Sequence, residues 1–375
     1  MPVPLLDLRR ENGPLLEEIM AAMKPVMEGS SFILGKTVSD FEAQSEAYLE
    51  LQPPSYALGV SSGTDALLLA LHALELPAGG EVITTPFTFY ATAGTIHRAG
   101  LKPRFVDILP DTFNIDPAKI EAAINVNTVA IMPVHLYGQM ADMDAIMAIA
   151  KKHNLPVIED TAQSIGARQN GKQAGTIGDY GAYSFFPTKN LGAFGDAGLL
   201  ASTRADLRDK TFRNRVHGQK DRYEHIEIGG NFRIDALQAA VLSVKMKHLN
   251  NWHEMRRANA KTYNDFFATS PMEEVVLPVE KPGNYHIYNQ FIIRVTGGKR
   301  DALKKHLDDA GIGNMIYYPR TLHEQQAFAY LGHKKGDFPI SEQATEEVLA
   351  LPIHSYITKE EILETSKAIA AFFGK

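Results

Sequence analysis

The chain has 375 residues, 45% of them apolar and 22% charged, and a formal net charge of −6. That length is too great for one small core and implies a large domain of roughly 200–250 residues with a smaller companion. The acidic balance gives no sign of a nucleic-acid or anionic-membrane partner. The absence of cysteine excludes disulfides, thiolate metal sites and cysteine nucleophiles. The N-terminus MPVPLLDLRRENG has no apolar core of signal-peptide length, and no run of about 18 apolar residues occurs. A soluble, cytoplasmic protein is expected.

In chain order, Pro14–Met27 and Val38–Leu51 read as two amphipathic helices around residues 29–36. Gly35-Lys36-Thr37 resembles the end of a nucleotide-binding P-loop. However, Gly29 leaves five residues before Gly35 where the motif needs four, and no strand precedes it. From Tyr56 a regular alternation begins. Strands are predicted at 56–60, 81–85, 103–107, 128–134 and 156–160, with helices at 63–76, 90–99, 116–124 and 141–153 between them. Strands alternating with helices of this size imply right-handed crossovers and a mostly parallel sheet covered by helices on both faces. The later chain reads as helices at 234–249 and 251–267, a strand at 288–295 and a helix at 301–310. It ends with a short strand at 314–318 and helices at 342–349 and 359–372. The fold class is therefore α/β, with a large domain over 1–250 and a smaller C-terminal α/β domain over 251–375.

In such sheets ligands bind beyond the carboxyl ends of the strands, and three features fall on that rim. Lys189 follows the aromatic run Tyr183–Phe186 and precedes a loop holding Gly192, Gly195 and Gly198. Lysine ordinarily sits on a solvated surface, whereas in a desolvated pocket its amine loses a proton more easily and can form a Schiff base with a carbonyl. Ser62-Gly63-Thr64 opens a helix, as an N-cap or as a phosphate site with free N–H groups and a positive dipole end. Asp160 closes the strand PVIED, as a turn residue or as a functional carboxylate, with Gln163 and Ser164 close behind. Phe89, in PFTFYAT, is either packing or a flat ring over a flat ligand. A phosphate cup, an aromatic plate, a carboxylate and a Schiff-base lysine together match the needs of pyridoxal 5′-phosphate, whose ring withdraws electrons best when its nitrogen is protonated. The thirteen histidines are scattered without a His-Glu-x-x-His pattern, so no metal is expected.

Segments 62–67 (SGTDAL), 86–92 (PFTFYAT), 136–143 (LYGQMADM), 159–167 (EDTAQSIGA), 184–198 (SFFPTKNLGAFGDAG), 217–240 and 341–354 together resemble the nucleotide-sugar aminotransferases of the DegT/DnrJ type. The resemblance covers essentially the whole chain and implies the aspartate-aminotransferase (type I) fold with pyridoxal 5′-phosphate as cofactor. By that likeness Lys189 forms the Schiff base and shuttles the proton, Asp160 faces the ring nitrogen, and Gln163 lies near the ring hydroxyl. Gly63, Thr64 and Ser184 match phosphate contacts, and Phe89 the stacking ring. Asn231 matches a residue that reaches the phosphate in the neighbouring subunit of a homodimer, with Arg233 nearby. Thr161 departs from the family pattern, where alanine or cysteine is common. Lys189 disfavours the related dehydratases, which carry histidine there.

Residues 204–233 carry eight Lys/Arg against five Asp/Glu, with His217 and His225 among them. This is either a solvated face or an edge for a diphosphate. Tyr317, Tyr318 and His323 are core aromatics and a surface histidine, or, by the resemblance, borders of the sugar pocket. The implied reaction moves an amino group from an amino acid, glutamate by the likeness, to a keto sugar of a UDP- or dTDP-linked nucleotide, at carbon 3 rather than carbon 4. A 4-keto sugar aminotransferase is the alternative within the family, and a pyridoxal-phosphate-binding regulator and a pyridoxal-phosphate lyase or dehydratase are the readings from other classes.

Overall fold

The computed structural model describes residues 2–375. Its central sheet is built from seven strands. These are β1 (Tyr56–Val60), β2 (Glu81–Thr84), β3 (Lys102–Phe105), β4 (Thr128–Ile131) and β5 (Ile158–Asp160), then, after a small hairpin of β6 (Arg168–Gln169) and β7 (Lys172–Gln173), β8 (Tyr180–Ser184) and β9 (Gly198–Ser202). The order is β3-β2-β4-β5-β8-β9-β1, with single bridges Ile131–Val157 and Val134–Asp160 joining β4 to β5. Every strand is parallel to the others except β9, which runs antiparallel to both β1 and β8. The mostly parallel sheet is as expected.

The strands are continuous apolar runs because helices cover both faces. Along β9 the side chains alternate: Leu200 packs with Leu67 and Leu71 of the helix Gly63–Ala73, whereas Leu199 and Ala201 join Phe41 and Trp252 on the other face. Burying each such leucine contributes about 1.5–3 kcal/mol. Helix starts are fixed locally. Ser62, Asp116 and Asp142 each accept a first-turn N–H through the side chain, which satisfies donors that have no intrahelical acceptor.

The C-terminal unit holds a three-stranded antiparallel sheet in the order β12-β14-β15. It follows the exposed hairpin of β10 (Gln219–Asp221) and β11 (Glu224–His225), and consists of β12 (Val275–Val276), β14 (Phe291–Val295) and β15 (Val348–Leu351). β13 (Asn284–Tyr285) instead joins the small β6/β7 hairpin. The helices Leu249–Thr269, Arg300–Asp309 and Lys359–Phe372 supply the apolar residues of the same core.

Two expectations need correction. The helix expected at 342–349 runs over Pro339–Glu347 and gives way to strand β15. Its apolar run Val348-Leu349-Ala350-Leu351 is buried throughout, and a run that short carries no period to separate helix from strand. Residues 314–318, expected as a strand, make only the single bridge Met315–Ala350, on the edge of β15 opposite β14, and the pairing extends no further. The first residues of the chain reach the C-terminal unit. Val3 bridges Ile312 inside the C-terminal core, and Arg10 forms a two-bonded ion pair with Glu361 at 2.7–2.8 Å. Asp7 caps a short helix, Leu8–Asn12, that places Arg10 there.

Candidate active site

Strand β8 delivers its chain to the rim and β9 takes it back, so the segment between them is a loop tied at both ends. Phe185 N–H donates to Ala197 O and Ala193 N–H to Phe185 O, each at 2.8 Å. Phe185 itself is fully buried against Phe41. Within this loop Lys189 sits on a turn, its N–H donating to Phe186 O at 2.9 Å. The side chain is half-buried. Burial disfavours the charged amine and lowers its pKa to about 8, against the opposing pull of the Asp160 carboxylate.

Asp160 ends β5 at the same rim and is 5% exposed. Its Oδ2 accepts from Thr92 Oγ1 at 2.7 Å and its Oδ1 from the Ala162 N–H at 3.2 Å. Burial raises its pKa, while the Thr92 hydroxyl, the Ala162 N–H, Lys189 and His135 all work the other way. Glu159, one residue earlier, points away. Its carboxylate accepts from the N–H groups of Gly175, Ile177 and Gly178 and lies 2.8 Å from His135 Nε2. Adjacent carboxylates on one strand thus face opposite sides of the sheet, as the strand period of two requires.

Gln163 is held in one orientation. Its Oε1 accepts from the Tyr137 N–H at 2.7 Å, so its amide hydrogens point away, and one is donated to the Tyr318 hydroxyl at 3.0 Å. Burial raises the Tyr318 pKa, so the phenol remains a neutral donor. Phe89 caps the helix Tyr90–Arg98, stands 59% exposed, and its ring centroid is 6.4 Å from that of Tyr318. Its exposed face is open on the same rim as Gln163 and Tyr318.

Behind them, the helix Gly63–Ala73 begins where β1 ends, next to the ends of β8 and β9. A Cβ on Gly63 would lie 2.7 Å from Ser184 Cβ, and one on Gly198 would lie 2.5 Å from the Ser62 carbonyl carbon. Only glycine permits this approach, and it sets the Ser184 hydroxyl beside the first helical turn. The N–H groups of that turn have no intrahelical acceptor and carry the positive end of the helix dipole, which makes an anion cup.

Comparison with known proteins decides what this arrangement belongs to. Residues 15–370 match the DegT/DnrJ/EryC1/StrS aminotransferase family. The chain belongs to that family. It is 49% identical over 373 residues to the pleiotropic regulatory protein of Geobacillus stearothermophilus, covering 100% of this chain and 99% of that one. It is 41% identical over 367 residues to the UDP-N-acetyl-3-dehydro-α-D-glucosamine 3-aminotransferase of Acidithiobacillus ferrooxidans, covering 98% and 97%. Among solved structures it is similar to DesV of S. venezuelae, with a TM-score of 0.95, 36% identity, and coverage of 100% and 99%. The type I aminotransferase fold follows.

DegT/DnrJ/EryC1/StrS aminotransferases use pyridoxal 5′-phosphate, and the residues on the rim fit it. The close approach at Gly63 sets the Ser184 hydroxyl beside the free N–H groups of the first helical turn, donors suited to a phosphate, and Asp160 offers a buried carboxylate within reach of the Lys189 charge. The remaining sequence-predicted residues are more scattered. Tyr317 is partly exposed beside Tyr318. His217 is exposed at a positive φ of 64° at the foot of the β10/β11 hairpin, its carbonyl accepting from His225 Nδ1. Asn231 is exposed and bridges Val216, while Arg233 bridges Val60 and its buried Nε has no partner. His323 is 3% exposed, packed on Phe338 and 3.1 Å from Glu342 Oε1, with burial lowering its pKa. A ring enclosed in that way offers no surface to a sugar, which corrects the expectation for His323. Thr92 was not foreseen. Its trace in the sequence is the Thr88–Thr92 spacing of four, which stacks the two hydroxyls at the start of one helix.

Proposed function

We propose that this protein is a pyridoxal-phosphate-dependent aminotransferase that moves an amino group from an amino acid, glutamate, to the 3-keto group of a UDP- or dTDP-linked sugar. The observation that carries the reading is Lys189, held in the rim loop with its amine lowered to about 8 by burial, next to the buried Asp160 carboxylate. The family match over residues 15–370 and the 3-aminotransferase of A. ferrooxidans at 41% identity support the substrate class. When bound, the cofactor draws electron density from the substrate carbon that loses its proton. The N–H groups of Gly63 and Thr64 and the Ser184 hydroxyl would hold the phosphate, Phe89 would cover one ring face, and Gln163 would lie by the ring hydroxyl. Asp160 would keep the ring nitrogen protonated. Lys189 Nζ, as a free amine, takes the proton from the donor carbon and returns it, a role worth about 10²–10⁴-fold. An amine that deprotonates near pH 8 is far better suited to this than one at the ordinary 10.5.

The same reading includes a two-domain division, a cytoplasmic location and a homodimer with shared sites. Among the described residues no helix is long and apolar enough to cross a membrane. The helix Leu16–Glu28 buries Ile19 and Val26 but leaves Leu16, Met20 and Met27 exposed, and Phe32 and Ile33 extend that open apolar surface, which supports a second copy docking there. His217, Tyr317, Tyr318 and Arg233 would then border the sugar nucleotide, Arg233 from the partner subunit, and Asn231 of the partner subunit would reach the cofactor phosphate.

The experiment offers 3-keto and 4-keto sugar nucleotides with glutamate and locates the new amine by NMR. An amine at carbon 3 is expected. An amine at carbon 4 refutes the position assigned, and no aminated sugar at all refutes the activity. The name of the G. stearothermophilus relative favours a second reading, a cofactor-binding regulator. Glutamate separates the two, because only a transaminase bleaches the visible absorbance of its cofactor.

A further inference from the structure

The hydrogen bonds around Asp160 run in a chain that the reaction as described does not use. Oδ2 of Asp160 accepts from Thr92 Oγ1 at 2.7 Å, and Thr92 Oγ1 lies 3.1 Å from Thr88 Oγ1. Thr92 is 0% and Thr88 3% exposed. A hydroxyl has one hydrogen to give, and an ionised carboxylate has none. With Asp160 ionised, Thr92 must spend its hydrogen on Asp160, so Thr88 must donate to Thr92. A protonated Asp160 lifts that constraint and allows the chain to reverse. The direction of the two hydroxyls is therefore coupled to the charge of the carboxylate.

The other groups around Asp160 leave this task to the threonines. Lys189 and His135 favour the charged carboxylate through space, and the Tyr318 phenol feels its charge. His135 cannot hydrogen-bond to it, since its Nδ1 accepts from the Ala141 N–H and its Nε2 faces Glu159. The Ala162 N–H is bonded at 3.2 Å, longer than the Thr92 contact. Burial pushes the other way. We propose that Thr92, backed by Thr88, is a positioning residue that holds Asp160 ionised in one rotamer and through it sets the proton affinity of the cofactor's ring nitrogen. The inference rests on the role given to Asp160 under the proposed function. Thr88 immediately precedes Phe89, and Phe89 caps the helix that carries Thr92. One turn thus supplies both the ring that covers the cofactor and the relay behind its carboxylate.

Thr92→Val removes the hydroxyl while keeping the branched shape, and Thr92→Ser keeps the hydroxyl. Two titrations are read for each, with a thermal melt as the check on folding. The first follows the ¹³C shift of the Asp160 carboxyl with pH in the apoenzyme. The second follows the absorbance of the bound cofactor with pH in the holoenzyme. In Thr92→Val the Asp160 midpoint is expected to rise by about one pKa unit, because a bond to the charged form is lost. The ring nitrogen would then be paired with a carboxylate of altered proton affinity, so the holoenzyme midpoint should move as well, and Thr92→Ser should restore both midpoints. An Asp160 midpoint unchanged in Thr92→Val overturns the proposal at its root. A raised Asp160 midpoint with an unchanged holoenzyme titration overturns the role of Asp160 toward the cofactor instead, and the two failures are distinct because the first titration contains no cofactor. If Thr92→Val loses its native melt, Thr88→Val takes its place. A smaller shift of the same sign is expected there, and no shift overturns the relay.

Discussion

On the sheet side of the cleft, Asp160, Thr92 and Gln163 are all less than a tenth exposed, and the structure gives each a defined set of hydrogen-bond partners. On the hairpin side, His217 and Asn231 lie open, and the buried Nε of Arg233 finds no acceptor. The two sides follow different physical rules. Groups fixed by bonds within the chain set their charge and direction before any ligand arrives, and such preorganisation is what stabilises charge at low cost during reaction. Under the proposed function, the groups left open on the hairpin side would take their partners from a substrate or a second copy of the chain. On that reading, the sheet side is the half made complete by its own hydrogen bonds and the hairpin side the half left incomplete within one chain.

The largest expected effect tests the complete half. Lys189→Ala should lower turnover by at least about 10³-fold and remove the visible absorbance of the cofactor, with an unchanged melting temperature. Turnover near wild type would dismantle the mechanism. Asp160→Asn should cost less, about 10²-fold, and should leave the cofactor bound. The amide still accepts from Thr92 but cannot hold a ring proton by charge. Wild-type rates in this variant would show that the carboxylate faces something else.

The third prediction tests the incomplete half. Within one chain Arg233 is bridged to Val60, at the end of the strand that leads into the Gly63 turn, so a site made by one subunit is a real alternative. Lys189→Ala and Arg233→Ala chains, each nearly inactive alone, are mixed and allowed to exchange. Random exchange makes half the dimers hybrids. In a shared site each hybrid regains one intact centre, so about a quarter of the wild-type activity should return by two-fold symmetry. If both residues serve the same chain's centre, nothing returns, and a mixture that stays inactive after proven exchange rules the shared site out.

The division between the two halves also governs what could be read from residue order. The strands β1 to β5 were legible because short apolar runs alternate with helices of a steady period, and Lys189 and Asp160 were legible because their neighbours are unusual for those residue types. Strand β9 was not. Gly198-Leu199-Leu200-Ala201-Ser202 follows a glycine loop and is buried on both faces, so it has no alternation to mark it. Strand β15 was hidden for the same reason, merged into the helix before it. His323 was misplaced because polar type says nothing of enclosure, which here comes from Phe338 and Glu342, both more than a dozen residues away. Thr92 was invisible because its importance lies in a bond to a strand 68 residues downstream.

The pairing of β1 with β9 has a consequence for how the protein comes into being. Tyr56–Val60 finds its ladder partner only in Gly198–Ser202, about 140 residues later in synthesis, while β2, β3, β4, β5 and β8 can assemble in the meantime. Until β9 leaves the ribosome, β1 is an apolar strand without an edge to bind, and contacts this distant in sequence are slow to form. The Gly63 turn sits directly after that strand, and its close neighbours Ser184 and Gly198 are made in the same late interval. The phosphate cup therefore does not exist on a nascent chain shorter than about 200 residues. Cofactor capture belongs to the end of the large domain's folding, and an early supply of cofactor cannot rescue a chain that stalls before β9.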